Sequence, residues 1–423
     1  MVGSDESRFS RGRRAPLAAA IAAVALVAVG CGSSKSSSSG STGSNASLGT
    51  PNAATGSPLK VGYITDGQNG SINNLTEVPA AQAAVKYVNA YLGGVAGHVL
   101  SLDVCNNGDT PSGATDCVNQ MITDKVPVVL YNVDGQGETT YGGLSKAGVP
   151  VMAYGSIAQN ELSGKLSYIV TNGLATAFAG PAEIAQSLKA KRAAVFVTNV
   201  PAAAGPVQAL DPIIYKNAGV PLDVVPVAPS TPDLTPEVQT ELSKGVDFIA
   251  MVGDVSFCTS VVKAEKTLNF TGTTVLIAQC LASGSSAGIP GGYTGMKVVT
   301  AATTDPTNPD VKLYVAAMKA YAPGTAPFAN GVTSGGWATV ISFANAMKGL
   351  TGTPTSANIE ATFSSMSPEP IPFGNGNTFQ CNGKQVSITP AVCSTGALQE
   401  TLDQAGNAVG AFTPIDVASL LKL

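Results

Sequence analysis

The chain has 423 residues, 44% of them hydrophobic and 12% charged, with a formal net charge of −4. At about 150 residues per domain this is two or three domains, and the apolar share excludes global disorder. The balance of charge lacks the strong basic patch of a nucleic-acid binder. The single histidine, His98, removes most zinc sites and argues against a Ser-His or Cys-His catalytic device.

The first thirty residues read as an export signal. Arg8, Arg11, Arg13 and Arg14 make a basic lead, and the uncharged run Pro16 to Gly30 fits an h-region. It is too short to span a bilayer, which takes roughly 20 residues. The run ends Leu26-Val27-Ala28-Val29-Gly30-Cys31, which resembles the lipobox of bacterial lipoproteins. That resemblance implies cleavage before Cys31, a diacylglycerol on its thiol, and an extracytoplasmic, membrane-anchored protein. Gly32 to Ser57 follows as a Ser/Gly-rich stretch with Lys35 as its only charge, so a flexible tether is expected over 31–57.

Without Cys31 the cysteines number six, in neighbouring pairs: Cys105 and Cys117, Cys258 and Cys280, Cys381 and Cys393. Six cysteines allow 15 pairings, and sequence proves none of them. Local pairing is the simplest, each bridge being worth about 3 kcal/mol by loop entropy. The spacings contain no C-x-x-C, which argues against a thiolate metal site.

The body alternates strands and helices. Leu59 to Ile64, Val99 to Val104, Val126 to Tyr131 and Val149 to Tyr154 are apolar, β-rich runs. Helical spacing falls between them at Pro79 to Leu92, Thr115 to Asp124 and Tyr141 to Ala147. A second series begins after Val170-Thr171-Asn172-Gly173, with strands at Arg192 to Asn199, Leu222 to Val227, Phe248 to Val252, Thr273 to Ile277 and Met296 to Thr300. Its helices are expected at Leu174 to Lys189 (with a break at Pro181), Val207 to Ala218, Leu234 to Lys244 and Cys258 to Leu268. This is an α/β pattern of two doubly wound, parallel-sheet lobes, in which ligands bind beyond the carboxyl ends of the strands. Helices follow at Pro309 to Tyr321 and Thr333 to Lys348, with Trp337 on the core stripe of the latter. Beyond Pro372 a Gly/Asn-rich stretch carries the last two cysteines.

Catalytic equipment is thin. Neither G-x-G-x-x-G nor G-x-x-x-x-G-K-[ST] occurs. Gly284-Ser285-Ser286-Ala287-Gly288 matches G-x-S-x-G, but Ile289-Pro290-Gly291-Gly292 follows instead of a helix, and His98 lies upstream. Asp305, Asn308 and Asp310 lack the calcium-loop spacing and read as a turn at a helix start. No enzyme, metal or cofactor is implied.

Lys60-Val61-Gly62-Tyr63-Ile64-Thr65, then Ala80 to Ala90, resembles the opening of branched-chain amino-acid-type substrate-binding proteins of ABC importers. Gly93-Gly94-Val95-Ala96-Gly97-His98, Gly148-Val149-Pro150-Val151 and Gly335-Gly336-Trp337 onward resemble later motifs of that family, in the same order. The resemblance implies a type I periplasmic-binding fold: two lobes joined by three crossings, near 171–173, 300–303 and 372–374. Lobe one would be 59–171 plus 301–372, and lobe two 172–300 plus 373–423. It implies a monomer that captures a small polar solute (an amino acid, amide or related compound) and docks on an ABC permease with its ATPase. The alternative is a binding protein that senses its ligand for a membrane receptor without transport.

Carried over to this sequence, the family's ligand positions fall on Asp66, Gln68, Asn69, Tyr131, Asp134, Gln136, Tyr154 and Ser156 in lobe one, and on Asp254 and Gln279 in lobe two. Two departures stand out. Asn132-Val133-Asp134-Gly135-Gln136 has no hydroxyl where the family has a Ser/Thr-rich loop, and Gln279 stands where an acid is expected. An amide cannot neutralise a buried ammonium as a carboxylate can.

Overall fold

The computed structural model describes residues 46–69, 73–329 and 331–422. The export signal and Cys31 lie outside the described residues. The strands are Pro58–Thr65 (β1), Val99–Asn106 (β2), Val129–Tyr131 (β3), Val151–Ala153 (β4), Ser167–Ile169 (β5), Ala193–Thr198 (β6), Leu222–Val227 (β7), Phe248–Val252 (β8), Thr273–Ile277 (β9), Lys297–Thr300 (β10), Glu369–Pro370 (β11), Thr378–Phe379 (β12), Gly396–Thr401 (β13) and Thr413–Asp416 (β14). The helices are Glu77–Tyr91 (α1), Pro111–Thr123 (α2), Gly137–Lys146 (α3), Gln159–Leu162 (α4), Gly180–Ser187 (α5), Pro201–Asn217 (α6), Thr235–Ser243 (α7), Val255–Thr267 (α8), Pro309–Tyr321 (α9), Thr333–Ala346 (α10) and Ser356–Ser365 (α11).

Sheet one runs β2-β1-β3-β4-β5, all parallel. Its side chains alternate between two cores, as a strand's period of two requires. Leu59, Val61 and Tyr63 pack under α1, α9, α10 and α11, while Ile64, Val129, Tyr131 and Val151 pack under α2 and α3. Sheet two runs β14-β13-β10-β9-β8-β6-β7. Its five strands from β6 to β10 are parallel, and β13 and β14 are added antiparallel at one edge. Ala193, Val195 and Val197 share the core that holds α5 and α6; Ala194 and Phe196 face α7 and α8. Helices on both faces of two mostly parallel sheets make the two-lobed α/β architecture.

In each sheet the strand order reverses once. β1 is flanked by β2 and β3, and β6 by β7 and β8. Such reversals are where the loops at the carboxyl ends part and leave a crevice. The loops in question begin at Asp66 and Asn132 in sheet one, and at Asn199 and Gly253 in sheet two.

Two local expectations need revision and one, the break at Pro181, is met. The Ser/Gly tether does not extend to residue 57. Leu48 is 3% exposed and joins the core of sheet one, and the backbone N–H groups of Asn52 and Ala54 donate to the carbonyls of Ala90 and Asn89. The last carbonyls of α1 have no partner within the helix, and this segment supplies them. The expected helix from 174 to 189 is divided by a π-helical turn, Ala175–Ala179, ahead of α5, because Pro181 offers no N–H to the preceding turn. The third crossing falls later than 372–374. Phe373, Phe379, Cys381 and Cys393 pack in the core of sheet one, Val392 pairs with Ile169 at its edge, and the chain reaches sheet two at β13. A Gly/Asn-rich composition carries no sign of which core its few apolar residues enter.

The three local disulfides form: Cys105–Cys117, Cys258–Cys280 and Cys381–Cys393, with Cα–Cα distances of 5.6, 5.4 and 4.4 Å. Trp337 lies in the core against Tyr87 and Tyr314. Asn308 caps α9 by accepting from the N–H groups of Asp310 and Val311. Among the described residues no helix is long and apolar enough to cross a membrane.

Candidate functional site

The loops at the β1/β3 reversal are laced by carboxyl groups. Asp66, 5% exposed, accepts the backbone N–H of Gly135 at 3.1 Å, Asn107 Nδ2 at 3.3 Å and Asn74 Nδ2 at 3.5 Å. Asn107 Nδ2 also donates to Asp134 Oδ1 at 3.0 Å, and the same oxygen accepts the N–H of Gln136 at 2.8 Å. Asp134 is 3% exposed, and its Oδ2 is buried with no hydrogen-bond partner. The loops after β1, β2 and β3 thus share one polar knot, with Asn107 as the bridge between two carboxyl groups. Nearer the surface, Asp109 accepts Gln136 Nε2 at 3.0 Å and Asn69 Nδ2 at 3.3 Å.

A third carboxyl group backs the knot. Glu77 opens α1, is fully buried, and has neither carboxyl oxygen hydrogen-bonded; Thr65 and Asn132 stand beside it. The Gly335-Gly336 pair lets α10 approach this point. A Cβ on Gly336 would run into the Glu77 carbonyl oxygen, and one on Gly335 into the Asn132 side chain. A fourth carboxyl group, Glu161, is buried at the end of α4, where its Oε2 accepts Ser156 Oγ at 2.6 Å.

Burial disfavours the ionised form of each group. Burial, aided by the charge of Asp134, pushes Asp66 up to about 7. Burial raises Glu77 to about 8 and Glu161 to about 7.

The other candidate residues separate into those at the site's surface and those withdrawn from it. Gln68 and Asn69 are exposed, and Gln136 and Ser156 are half-buried. Tyr131 and Tyr154, expected to offer stacking faces, do not. Tyr131 has no exposed surface, and its ring lies in the core under α3 with its hydroxyl toward Glu161. Tyr154 is buried on the opposite face of the sheet, and its hydroxyl donates to the Pro372 carbonyl at 2.9 Å, tying the end of β4 to the segment after β11. At the β6/β8 reversal Asn199 and Asp254 are exposed; Asp254 caps α8 by accepting the N–H of Phe257 at 2.8 Å. Gln279 is exposed on the short turn Ala278–Cys280 after β9. Asn107, Glu77, Asp109 and Glu161 were not anticipated. Asn107 and Asp109 follow a strand end and obey the same rule that selected Asp66. Glu77 and Glu161 carry no local signal, since only packing makes them buried neighbours.

Among the described residues no group of three or more His, Cys, Asp or Glu is placed to hold a metal ion. The arrangement is dominated by hydrogen-bond acceptors: Asp66, Asp134, Asp109 and Glu77. Two doubly wound sheets whose reversal loops carry polar side chains define the class: a two-lobed, type I periplasmic solute-binding fold.

Comparison with known proteins agrees. The family model of the periplasmic binding protein matches residues 58–390, and the chain belongs to that family. An ABC transporter substrate-binding protein from Sphaerobacter thermophilus superposes with a TM-score of 0.67 at 16% identity, covering 86% of this chain and 100% of that one. The branched-chain amino acid transporter substrate-binding protein LivJ from Streptococcus pneumoniae, in complex with isoleucine, gives 0.58 at 16% identity, covering 85% and 99%. The leucine-, isoleucine-, valine-, threonine- and alanine-binding protein from Brucella ovis, in a closed conformation, gives 0.64 at 15% identity, covering 85% and 95%. No curated protein matches the sequence. The family and these structures are substrate-binding proteins, not enzymes.

Proposed function

We propose that the protein is the extracytoplasmic solute-binding lipoprotein of an ABC importer, anchored through Cys31, acting as a monomer and delivering a small polar solute to a permease driven by its ATPase. The observation that carries this reading is the pairing of two strand-order reversals, at β1/β3 and β6/β8, each ending in polar loops, within one chain of the periplasmic binding protein family. A solute held between such loops is released when the lobes part. Lipidation rests on the apolar run that ends at Gly30-Cys31, and the membrane face on the export signal before it.

The test is a thermal-shift screen of the full chain against amino acids, amides, sugars, polyols and small carboxylates, after unfolding and refolding to strip any carried ligand. A solute at 100 times its dissociation constant adds about 2.7 kcal/mol, a shift of a few degrees. A shift with one chemical class supports the reading, and silence across all classes overturns it. Cys31→Ala should abolish lipid labelling and release the protein from the membrane while it stays folded; a labelled, membrane-bound mutant would overturn the anchor.

A further inference from the structure

Three covalent crossings join the lobes, and a loop that is none of them joins them again. The first crossing lies between Ile169 and Ala175, and the second between Thr300 and Pro309. The third runs from Cys393, in the core of sheet one, to Gly396 at the start of β13. The loop between β11 and β12, residues 371–377, belongs to lobe one. Ile371 and Phe373 lie in its core, and the Phe373 ring meets Tyr314 of α9 edge-on at 5.4 Å. Two side chains of the same loop end on lobe two. Asn377 Nδ2 donates to the Ala397 carbonyl of β13 at 2.9 Å, and Asn375 Nδ2 donates to the carbonyl of Phe412, the residue before β14.

We infer that this loop is a noncovalent latch between the lobes, in which Asn375 and Asn377 set how readily one lobe rotates against the other. The inference rests on the solute-binding reading above and names a control on the closure of that site. Three observations carry it. The first is that the loop is fixed to lobe one. The Phe373 N–H donates to Asp310 Oδ2 at 3.1 Å, and the Phe373 carbonyl accepts the N–H of Thr303, in the second crossing, at 2.8 Å. Phe373 holds φ at 64°, in the left-handed region that a large side chain rarely occupies. Such a backbone persists only where its surroundings dictate it, and such places collect at binding and switching sites.

The second observation is that Asn375 sits in the middle of a relay. Its Oδ1 accepts Asn308 Nδ2 at 2.9 Å, while Asn308 Oδ1 caps α9. With Oδ1 engaged on the lobe-one side, Nδ2 is the end left to meet a carbonyl, so the amide joins α9 to lobe two in one orientation. The third is that sheet two leaves room for Asn377. A Cβ on Gly396 would stand 2.6 Å from Asn377 Cγ and 2.7 Å from its Oδ1. Gly396 is not in the left-handed region, so what glycine supplies here is space and not backbone freedom.

Closure of a two-lobed protein is a rotation about its crossings. Asn172 stays with that axis: it is fully buried in the first crossing, and its Nδ2 donates to the Ser394 carbonyl of the third at 2.9 Å. Asn375 and Asn377 reach past the crossings onto the approach to β14 and onto β13, so a rotation of lobe two stretches their bonds. Both acceptors belong to buried residues, Ala397 and Phe412. Two hydrogen bonds of ordinary net strength bias two arrangements by about tenfold.

The test is the distance between two spin labels, at Lys146→Cys in α3 and Gln239→Cys in α7, both exposed positions. It is measured without solute on the full chain carrying Cys31→Ala, so that only the two introduced thiols take label. With the loop intact one separation should dominate. Asn375→Ala combined with Asn377→Ala should raise the population of a second separation about tenfold. Gly396→Ala, which keeps both asparagines, should raise it in the same direction, and adding Asn377→Ala to it should change little further. Asn89→Ala removes a comparable bond inside lobe one, from Asn89 Nδ2 to the Leu100 carbonyl at 2.8 Å, and should leave the distribution unchanged. An unchanged distribution in the double asparagine variant, folded by circular dichroism, overturns the inference. So does an equal response to Asn89→Ala. If the double variant or Gly396→Ala does not fold, Asn377→Ala alone decides. No solute enters the measurement, so its failure leaves the solute-binding reading to the screen above.

Discussion

At the β1/β3 reversal the loops are bound to one another through buried carboxyl groups, and α10 presses on them from behind through Gly335 and Gly336. At the β6/β8 reversal the corresponding residues, Asn199 and Asp254, stand in solvent, and Asp254 is occupied in capping its own helix. The topology of the two places is the same, but their preparation differs. The β1/β3 loops are already tied together, so little order would be lost if a solute bound there. In lobe two the staple Cys258–Cys280 joins α8 to the turn after β9.

The most damaging way to break this contrast is Gly336→Ala. Its Cβ has backbone, not a flexible side chain, in its path, so about 3 kcal/mol of destabilisation is expected in urea unfolding. A neutral result would show that α10 can shift and that the frame behind Glu77 is soft. Removing the lobe-two staple with Cys258→Ser and Cys280→Ser comes next, at about 3 kcal/mol for a 22-residue separation. Hydrogen exchange should then rise around Asp254 and Gln279 and stay unchanged around Asp66.

A pH series sharpens the comparison. Asp66, Glu77 and Glu161 have folded-state values pushed up by burial to about 7, 8 and 7, far above those of the unfolded chain. The native state therefore binds more protons than the unfolded state between about pH 4 and pH 8, and stability falls as pH rises through that window. Asp211 and Glu265, buried in lobe two and raised to about 8, act in the same direction. Tm should be several degrees higher at pH 5 than at pH 8.5, and Glu77→Gln should flatten the slope. A Tm that rises with pH would mean that the carboxyl groups are ionised and paired. The smallest effects belong to the exposed half: Asp254→Ala should cost about 1 kcal/mol through the lost cap, and Gln279→Ala less than about 0.5 kcal/mol.

Much of this molecule was legible in one dimension. Apolar runs such as Val149 to Tyr154, alternating with helical spacing, determined two series of β/α units, because a strand buried on both faces must be apolar throughout. Local cysteine spacing pointed to the three staples, and strand ends located Asp66, Asp134, Asp254 and Gln279. Only the tertiary structure decided which of these residues are buried and which are exposed. Tyr131 lies at a strand end yet is wholly buried, because alternation sends its side chain to whichever helix layer covers that face, and the chain does not record which face is the crevice. Glu77 looks like an ordinary acid in a first helical turn until Gly335 and Gly336 bring α10 down on it. Leu48 reads as one apolar residue in a Ser/Gly run until the carbonyls at the end of α1 and the neighbouring core take up its segment. In each case the deciding contact joins residues far apart in the chain. Sequence spacing reports local periodicity, and the burial that sets charge, exposure and role is a property of the packed whole.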